Sequence, residues 1–305
     1  MLDFIFQDEF TRNFRGNIKA NEPCGPHTTM KTGGVTPAFL EPFDADSMIY
    51  AINEFLDRCQ KFFVLGGGSN TILPDEMDFP IISTRKLEGG ISYDSENSSV
   101  EICAGTSWGQ VIAFCREHQL GGIEEFTGLS GSAGGAAFMN ATCFGLSLSD
   151  LLLSARYIDY SQGRCNLKNY SMLKEQWSYK KSPFQKGNLL VLSLTLKVSA
   201  GHFDQEKSAA VLEKRKAAGH FLAPSAGSVF KNNAEKGIIA GKIIDECGLK
   251  GISSGGAQVA PWHGNFIINP DRKATSKDIR QLVDLIQKQV KIKTGVDLEC
   301  EILFI

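Results

Sequence analysis

The sequence carries no excess of either charge. Its 305 residues have a formal net charge of −2 at pH 7, so its overall electrostatics favour neither nucleic acid nor an anionic membrane as a partner. No apolar run approaches the roughly 20 residues of a membrane-spanning helix. The first residues bring acids, Asp3 and Asp8, where a signal peptide has a basic lead-in. We therefore expect a cytoplasmic protein with neither a membrane nor a nucleic-acid partner.

Cysteine pairs at metal-binding or redox spacing are also missing. None of the eight cysteines belongs to a C-x-x-C pair, which argues against a zinc site or a thioredoxin-like motif. Most cysteines have apolar neighbours, as Cys103 has in Ile102 and Ala104. We expect free, buried thiols, a reducing compartment and no metal.

The familiar phosphate-binding motifs are absent, and two other glycine-rich loops are present. The first, 66–70, follows the apolar run 62–65, and the second spans 128–135. Neither continues into the Lys-Ser/Thr pair of a P-loop, and neither contains G-x-G-x-x-G. Glycines allow positive φ and close approach of a ligand, and successive amides can bind an anion. A tight turn for the first loop and a flexible loop for the second are the simpler alternatives.

Helical and strand patterns alternate along the chain, which predicts a mixed α+β fold. The stretch 121–145 is rich in small residues and carries no long periodic signal. Thr275 and Asp278 form a candidate capping box, so the last helix should begin there and end near 292. The other predicted helices cover 45–58, 108–118, 204–218 and 237–247. The predicted strands cover 62–65, 80–84, 99–104, 155–160, 189–198, 266–269 and 296–304.

Nearly the whole chain resembles the UDP-N-acetylenolpyruvoylglucosamine reductases, and the resemblance is carried by the order and spacing of five segments. The glycine loops themselves resemble the FAD site of the vanillyl-alcohol-oxidase-type flavoproteins, to which these reductases belong. The length resembles the shorter subtype, which lacks an inserted substrate loop. The five segments are 21–34, 128–145, 224–232, 255–269 and 295–301.

The resemblance implies an FAD-binding domain of the vanillyl-alcohol-oxidase/PCMH type in two lobes, 1–85 and 86–200, followed by an α+β substrate domain, 201–305. FAD would be held non-covalently between the two lobes, with NADPH as co-substrate. The substrate would be an enolpyruvyl ether of a UDP-sugar, reduced to a lactyl ether during peptidoglycan precursor synthesis. We expect a monomer.

The resemblance also assigns roles to individual residues. Ser228 would be the proton donor, with Glu301 beside the intermediate and Glu299 as the alternative acid. Lys180 stands where the family has arginine, and lysine lacks the planar fork that grips a carboxylate. The FAD contacts would be Gly66, Gly67, Gly68, Ser69, Asn70, Gly128, Gly131, Ser132, Gly134, Gly135 and Asn140. The substrate contacts would be Tyr179, Arg215, Lys231, Asn232 and His263.

Two alternatives remain open on the sequence. One is another FAD-dependent oxidoreductase of the same superfamily, against which the 224–232 motif argues. The other is a catalytically impaired protein that binds flavin or a nucleotide sugar. Lys180, in place of the family's arginine, is the residue that supports this alternative. Gly219 and His220 also depart from the family, which usually has Gln-Pro there.

Overall fold

The computed structural model describes residues 2–233 and 236–305. Its contacts divide the chain into two compact units, each assembled from separate stretches of sequence. The first unit comprises the chain up to Glu22, Pro37–Gly67 and Asp78–Leu212; the second comprises Pro23–Thr36, Gly68–Met77 and Glu213–Ile305. The three-lobe division with boundaries near 85 and 200 stays a prediction.

Helices and strands alternate as the sequence predicts. The α-helices are α1 Asp8–Asn13, α2 Ala45–Asp57, α3 Trp108–Glu117, α4 Ala133–Met139, α5 Leu148–Leu151, α6 Gln205–Ala217, α7 Ala240–Glu246 and α8 Ser276–Thr294. The strands are β1 Gly16–Pro23, β2 Val35–Pro42, β3 Phe63–Leu65, β4 Thr71–Ile72, β5 Ile81–Ser83, β6 Ile91–Asp94, β7 Ser99–Cys103, β8 Leu120–Gly121, β9 Thr142–Cys143, β10 Leu146–Ser147, β11 Leu152–Asp159, β12 Asn166–Ser171, β13 Leu189–Lys197, β14 Ser199–Ala200, β15 Ser225–Ser228, β16 Ser253–Ser254, β17 Ala257–Val259, β18 Phe266–Ile268 and β19 Leu303–Phe304.

The first unit contains two larger sheets. One has the order β1-β2-β5-β3, with β2 and β3 both parallel to β5. The other is antiparallel, with the order β12-β11-β13-β7-β6. Helix α2 buries Met48, Ile52 and Phe55, which follow one another at helical spacing. Apolar burial of this kind is the main force that holds each sheet and its helices together.

The second unit is built on the antiparallel sheet β15-β18-β17-β16. Helix α8 begins at the predicted capping box of Thr275 and Asp278 and contributes apolar residues to the core of this unit. The Asp75 carboxylate accepts from the amides of Ser276 (2.7 Å) and Lys277 (3.2 Å) at the start of this helix. An acid there satisfies free amides and the positive end of the helix dipole. The inserted stretch Gly68–Met77 is therefore part of the fold of this unit.

Several predicted elements have different bounds in the structure. The helix predicted over 237–247 begins later, at Ala240, and the strand predicted over 296–304 is regular only in β19. Helix α4 lies in the stretch without periodic signal. All eight cysteines are free, as predicted, but the predicted burial holds for only four of them: Cys143, Cys165 and Cys300 are half-buried and Cys59 is exposed. Among the described residues, no helix is both long enough and apolar enough to cross a bilayer.

Candidate active site

The second glycine loop leads directly into helix α4. Ser132 is the N-cap of this helix, and its Oγ accepts from the amide of Gly135 at 3.3 Å. The same Oγ accepts from the amide of Gly67 at 3.2 Å. One serine hydroxyl thus caps the helix and forms a hydrogen bond between the first glycine loop and the second.

Gly67 lies directly against the backbone of the second loop. A Cβ added at Gly67 would lie 2.4 Å from the Cα of Gly131. Real Cβ atoms do not approach a backbone that closely, so only glycine fits here. The two predicted FAD loops therefore meet in the first unit, backbone against backbone.

The remainder of the first loop belongs to the second unit. Gly68 has φ of +64°, and a Cβ on it would lie 2.2 Å from the carbonyl oxygen of His27. The Asn70 side chain donates to the carbonyl of Glu301 at 3.0 Å, and the amide of Leu303 donates to the carbonyl of Asn70 at 2.9 Å. The first loop is thereby bonded to the segment that carries Glu301.

The chemistry of these loops fits FAD. In the part of the chain that the structure describes, nothing accepts a hydrogen bond from the amides of Gly68, Ser69 or Asn70. Consecutive free amides can bind an anion such as a diphosphate, and residues without side chains would give the cofactor close access. Asn140, also predicted to touch FAD, uses its buried side chain otherwise: it donates to the carbonyl of Ser178 (2.8 Å) and accepts from the amide of Ser149 (3.0 Å). Its contact with the cofactor stays a prediction.

Ser228 and Glu301 lie on paired segments of the second unit. The amide of Glu301 donates to the carbonyl of Val229 at 2.7 Å, and Phe230 and Cys300 form an antiparallel bridge. Paired strands lie about 4.8 Å apart, so the backbone of Glu301 lies beside that of Val229, the residue directly after the half-buried Ser228. On its other side, Ser228 pairs with Phe266 of β18. Glu299, on the same segment, forms an ion pair with Lys231 at 2.6 Å.

Lys180 lies in a tight turn of the first unit. The backbones of Ser178 and Lys181 exchange hydrogen bonds of 3.2 and 3.0 Å across it, which leaves Tyr179 and Lys180 as its two central residues. Tyr179 is 45% exposed, and the Lys180 ammonium lies 5.7 Å from the centroid of its ring. The bond from Asn140 to Ser178 attaches this turn to the C-terminal end of α4.

The predicted substrate contacts Lys231 and Asn232 follow Ser228 along the chain. The Glu299 ion pair holds the Lys231 ammonium, and the Asn232 Oδ1 accepts from the amide of Ala240 at 3.0 Å. That bond fixes the orientation of Asn232 and leaves its amide nitrogen as the donor.

His263 and Arg215 belong to a cluster that also contains His220. The His263 Nδ1 accepts from the amide of Asn265 at 3.2 Å, so the neutral ring carries its proton on Nε2 and can donate there. Burial lowers the pKa of His263, and burial together with the charge of Arg215 lowers the pKa of His220 to about 4. Both imidazoles are therefore neutral near pH 7.

Asn265 is a site residue that the sequence motifs did not single out. It is 4% exposed, its Oδ1 accepts from the amide of Phe230 at 2.9 Å, and its Nδ2 donates to the carbonyl of Phe230 at 2.8 Å. Its own carbonyl accepts from the amide of Val229 at 2.9 Å. Asn265 thus holds the backbone directly after Ser228. Asn265 lies within the 255–269 segment, and its own sequence signal is that of a polar residue immediately before the apolar strand 266–268.

Comparison with known proteins shows which family the chain resembles. Residues 219–305 match the model of the UDP-N-acetylenolpyruvoylglucosamine reductase C-terminal domain, and residues 36–166 match an FAD binding domain. The UDP-N-acetylenolpyruvoylglucosamine reductase of Treponema denticola is 39% identical over 303 residues, covering 95% of this chain and 94% of that protein. The protein of that name from Borreliella burgdorferi is 40% identical over 283 residues, covering 92% and 91%.

The chain belongs to the UDP-N-acetylenolpyruvoylglucosamine reductase family. A solved structure of this family, from Thermus caldophilus, superposes with a TM-score of 0.71 at 28% identity, covering 95% of this chain and 98% of that one. The predicted α+β fold, with an FAD-binding domain and a C-terminal domain of this family, is confirmed.

Proposed function

We propose that this protein reduces UDP-N-acetylglucosamine enolpyruvate to UDP-N-acetylmuramate in peptidoglycan precursor synthesis, with NADPH as the reductant and non-covalent FAD as the cofactor. The observation that carries the proposal is the pairing of the Ser228 strand with the Glu301 segment, which is itself bonded to Asn70 of the first glycine loop. Membership of the reductase family supports the choice of substrate.

The reaction needs a proton and a means of stabilising negative charge. FAD, when bound, supplies hydride equivalents from NADPH to the terminal carbon of the enolpyruvyl group. Negative charge then develops towards the substrate carboxylate, and the adjacent carbon must receive a proton. Ser228 holds a proton on Oγ for this transfer. A serine hydroxyl is a weak acid, so the neighbouring Glu301 has the role of relaying a proton to it.

Lys180 supplies positive charge for the substrate carboxylate. A lysine ammonium is a point charge with three donors, whereas the family's arginine makes two parallel bonds to a carboxylate. Lys231, the Asn232 amide and the His263 Nε2 supply donors for the UDP portion, with Tyr179 and Arg215 completing the substrate contacts.

Anaerobic half-reactions test the proposal. The protein carrying FAD is reduced with NADPH and then mixed with the enolpyruvyl UDP-sugar while the flavin absorbance is followed. We expect bleaching by NADPH and return of colour with the sugar. Bleaching with no reoxidation by the sugar would refute the assigned substrate.

Variants separate the roles of the individual residues. Ser228→Ala should bleach normally and reoxidise about 10²–10⁴-fold more slowly, the usual contribution of a general acid. Ser225→Ala, on the same strand, is the matched control and should reoxidise at the normal rate. Glu301→Gln should slow reoxidation more than Glu299→Gln; the reverse order would transfer the role to Glu299.

A further inference from the structure

The turn that carries Lys180 has a backbone conformation that lysine does not favour. Lys180 has φ of +58°, in the left-handed region, where a residue with a Cβ is disfavoured by about 1–2 kcal/mol. The cross-turn bonds between Ser178 and Lys181 define the turn, but neither of them involves a backbone group of Lys180 itself. The peptide of Lys180 has a contact with a side chain outside the turn.

Gln185 makes that contact. Its Nε2 donates to the carbonyl of Lys180 at 3.0 Å and to the carbonyl of Phe138 at 2.8 Å. Phe138 lies in the last turn of α4, the helix that begins at Ser132 in the second glycine loop. A single side-chain amide therefore ties the Lys180 peptide to the end of a helix that starts at the predicted FAD site.

The connection has a chemical consequence because lysine has a long, flexible stem. An ammonium on four rotatable bonds reaches a given point reproducibly only if the backbone that carries it is fixed. An arginine aligns itself on a carboxylate through two parallel bonds and depends less on that support.

We infer that Gln185 is a positioning residue that holds Lys180 where its ammonium meets the carboxylate of the substrate. The inference rests on the role proposed for Lys180. Displacement of a positioned group by about 1 Å lowers the reaction rate by up to about 100-fold. Gln185 is one of several contacts that hold the turn, so its loss should lower the rate of flavin reoxidation by about 10-fold.

The test is a double-mutant cycle on the FAD-loaded protein. Gln185→Leu should leave bleaching by NADPH unchanged and slow reoxidation by the enolpyruvyl UDP-sugar about 10-fold. In a Lys180→Met background the ammonium is already gone, so Gln185→Leu should add no further loss. Should Gln185→Leu fail to fold, Gln185→Met keeps the length of the side chain and also lacks the donor.

Ser182→Ala is the matched control. The Ser182 Oγ donates to the same Phe138 carbonyl at 2.7 Å and makes no bond to Lys180, so its removal should not slow reoxidation 10-fold. Equal losses from Gln185→Leu with and without the Lys180 ammonium, or an equal loss from Ser182→Ala, would show that Gln185 only supports the fold. If the unmodified protein is not reoxidised by the sugar, the proposed function itself fails, and that result is distinct from an additive cycle.

Discussion

The bonds that Asn265 makes to Phe230 predict a large loss of stability when this side chain is changed. Asn265→Leu keeps a similar volume but removes both bonds, leaving a buried amide and a buried carbonyl of Phe230 without partners. Each such group costs about 1–3 kcal/mol, so we expect the free energy of unfolding to fall by about 3 kcal/mol. That is a large part of the total stability of a typical domain and corresponds to about 10 °C in Tm.

Thermal and urea unfolding of the FAD-free protein, followed by near-ultraviolet circular dichroism, would measure this loss. Asn97→Ala is the matched control, because its side chain bonds only to the Asp94 carboxylate at an exposed turn, and it should change stability by less than about 0.5 kcal/mol. Asn265→Asp keeps the acceptor for the Phe230 amide but places a carboxylate against the Phe230 carbonyl, so it should also destabilise. A loss from Asn265→Leu no larger than that from Asn97→Ala would refute the reasoning.

Three further predictions concern the first glycine loop, the histidine cluster and the cap of α8. Gly68→Ala should purify with little FAD, measured as flavin absorbance per protein. Gly163→Ala is the control and should retain FAD, because Gly163 also has a positive φ, +75°, but a Cβ there would meet no described atom within 4 Å. Equal flavin in both variants would contradict the requirement for glycine at position 68. The folded pKa of His220 is about 4 and its unfolded value about 6.5, so stability should fall as pH is lowered from about 6.5 to 4. With a discount for solvent screening of this half-buried ring, the loss should be on the order of 2 kcal/mol. His220→Leu should flatten this slope in pH-dependent urea unfolding, and an unchanged slope would assign it to other groups. Asp75→Ala should lower the free energy of unfolding by about 1 kcal/mol through loss of the cap on α8, and an unchanged urea midpoint would show that water replaces the carboxylate.

Long periodic elements could be predicted from the sequence, because their signal lies in the side chains themselves. Helix α2 shows apolar residues at helical spacing, and α8 shows both that spacing and a capping box, so both were found at nearly their observed bounds. Helix α4 was missed. It is short and made of alanine and glycine in its first turns, and its position depends on packing and on the Ser132 cap rather than on an amphipathic pattern.

The candidate site could be predicted only as far as motifs reach. The motifs indicate Ser228 and Glu301, and the structure places them on paired segments. The hydrogen bonds that hold the backbone around these residues come from positions distant in sequence, as Asn265 bonds to Phe230, 35 residues away. The sequence does not indicate which backbone group a polar side chain will bind. Gln185 was missed for the same reason, because its role depends on a turn and a helix end that only the folded chain brings together.

The second unit also has a consequence for the order in which the chain can fold during synthesis. Strand β4, the early residue Met30 and the Asp75 cap all leave the ribosome long before β19 and α8, their partners in the same unit. The apolar residues of these two early stretches therefore stay uncovered until α8 and β19 have been synthesised. A fragment limited to 219–305 would lack the parallel partner of β19 and part of its own core, so it would expose a strand edge that invites aggregation. The segment that matches the family's C-terminal domain therefore depends on the earlier stretches of the second unit to complete its fold.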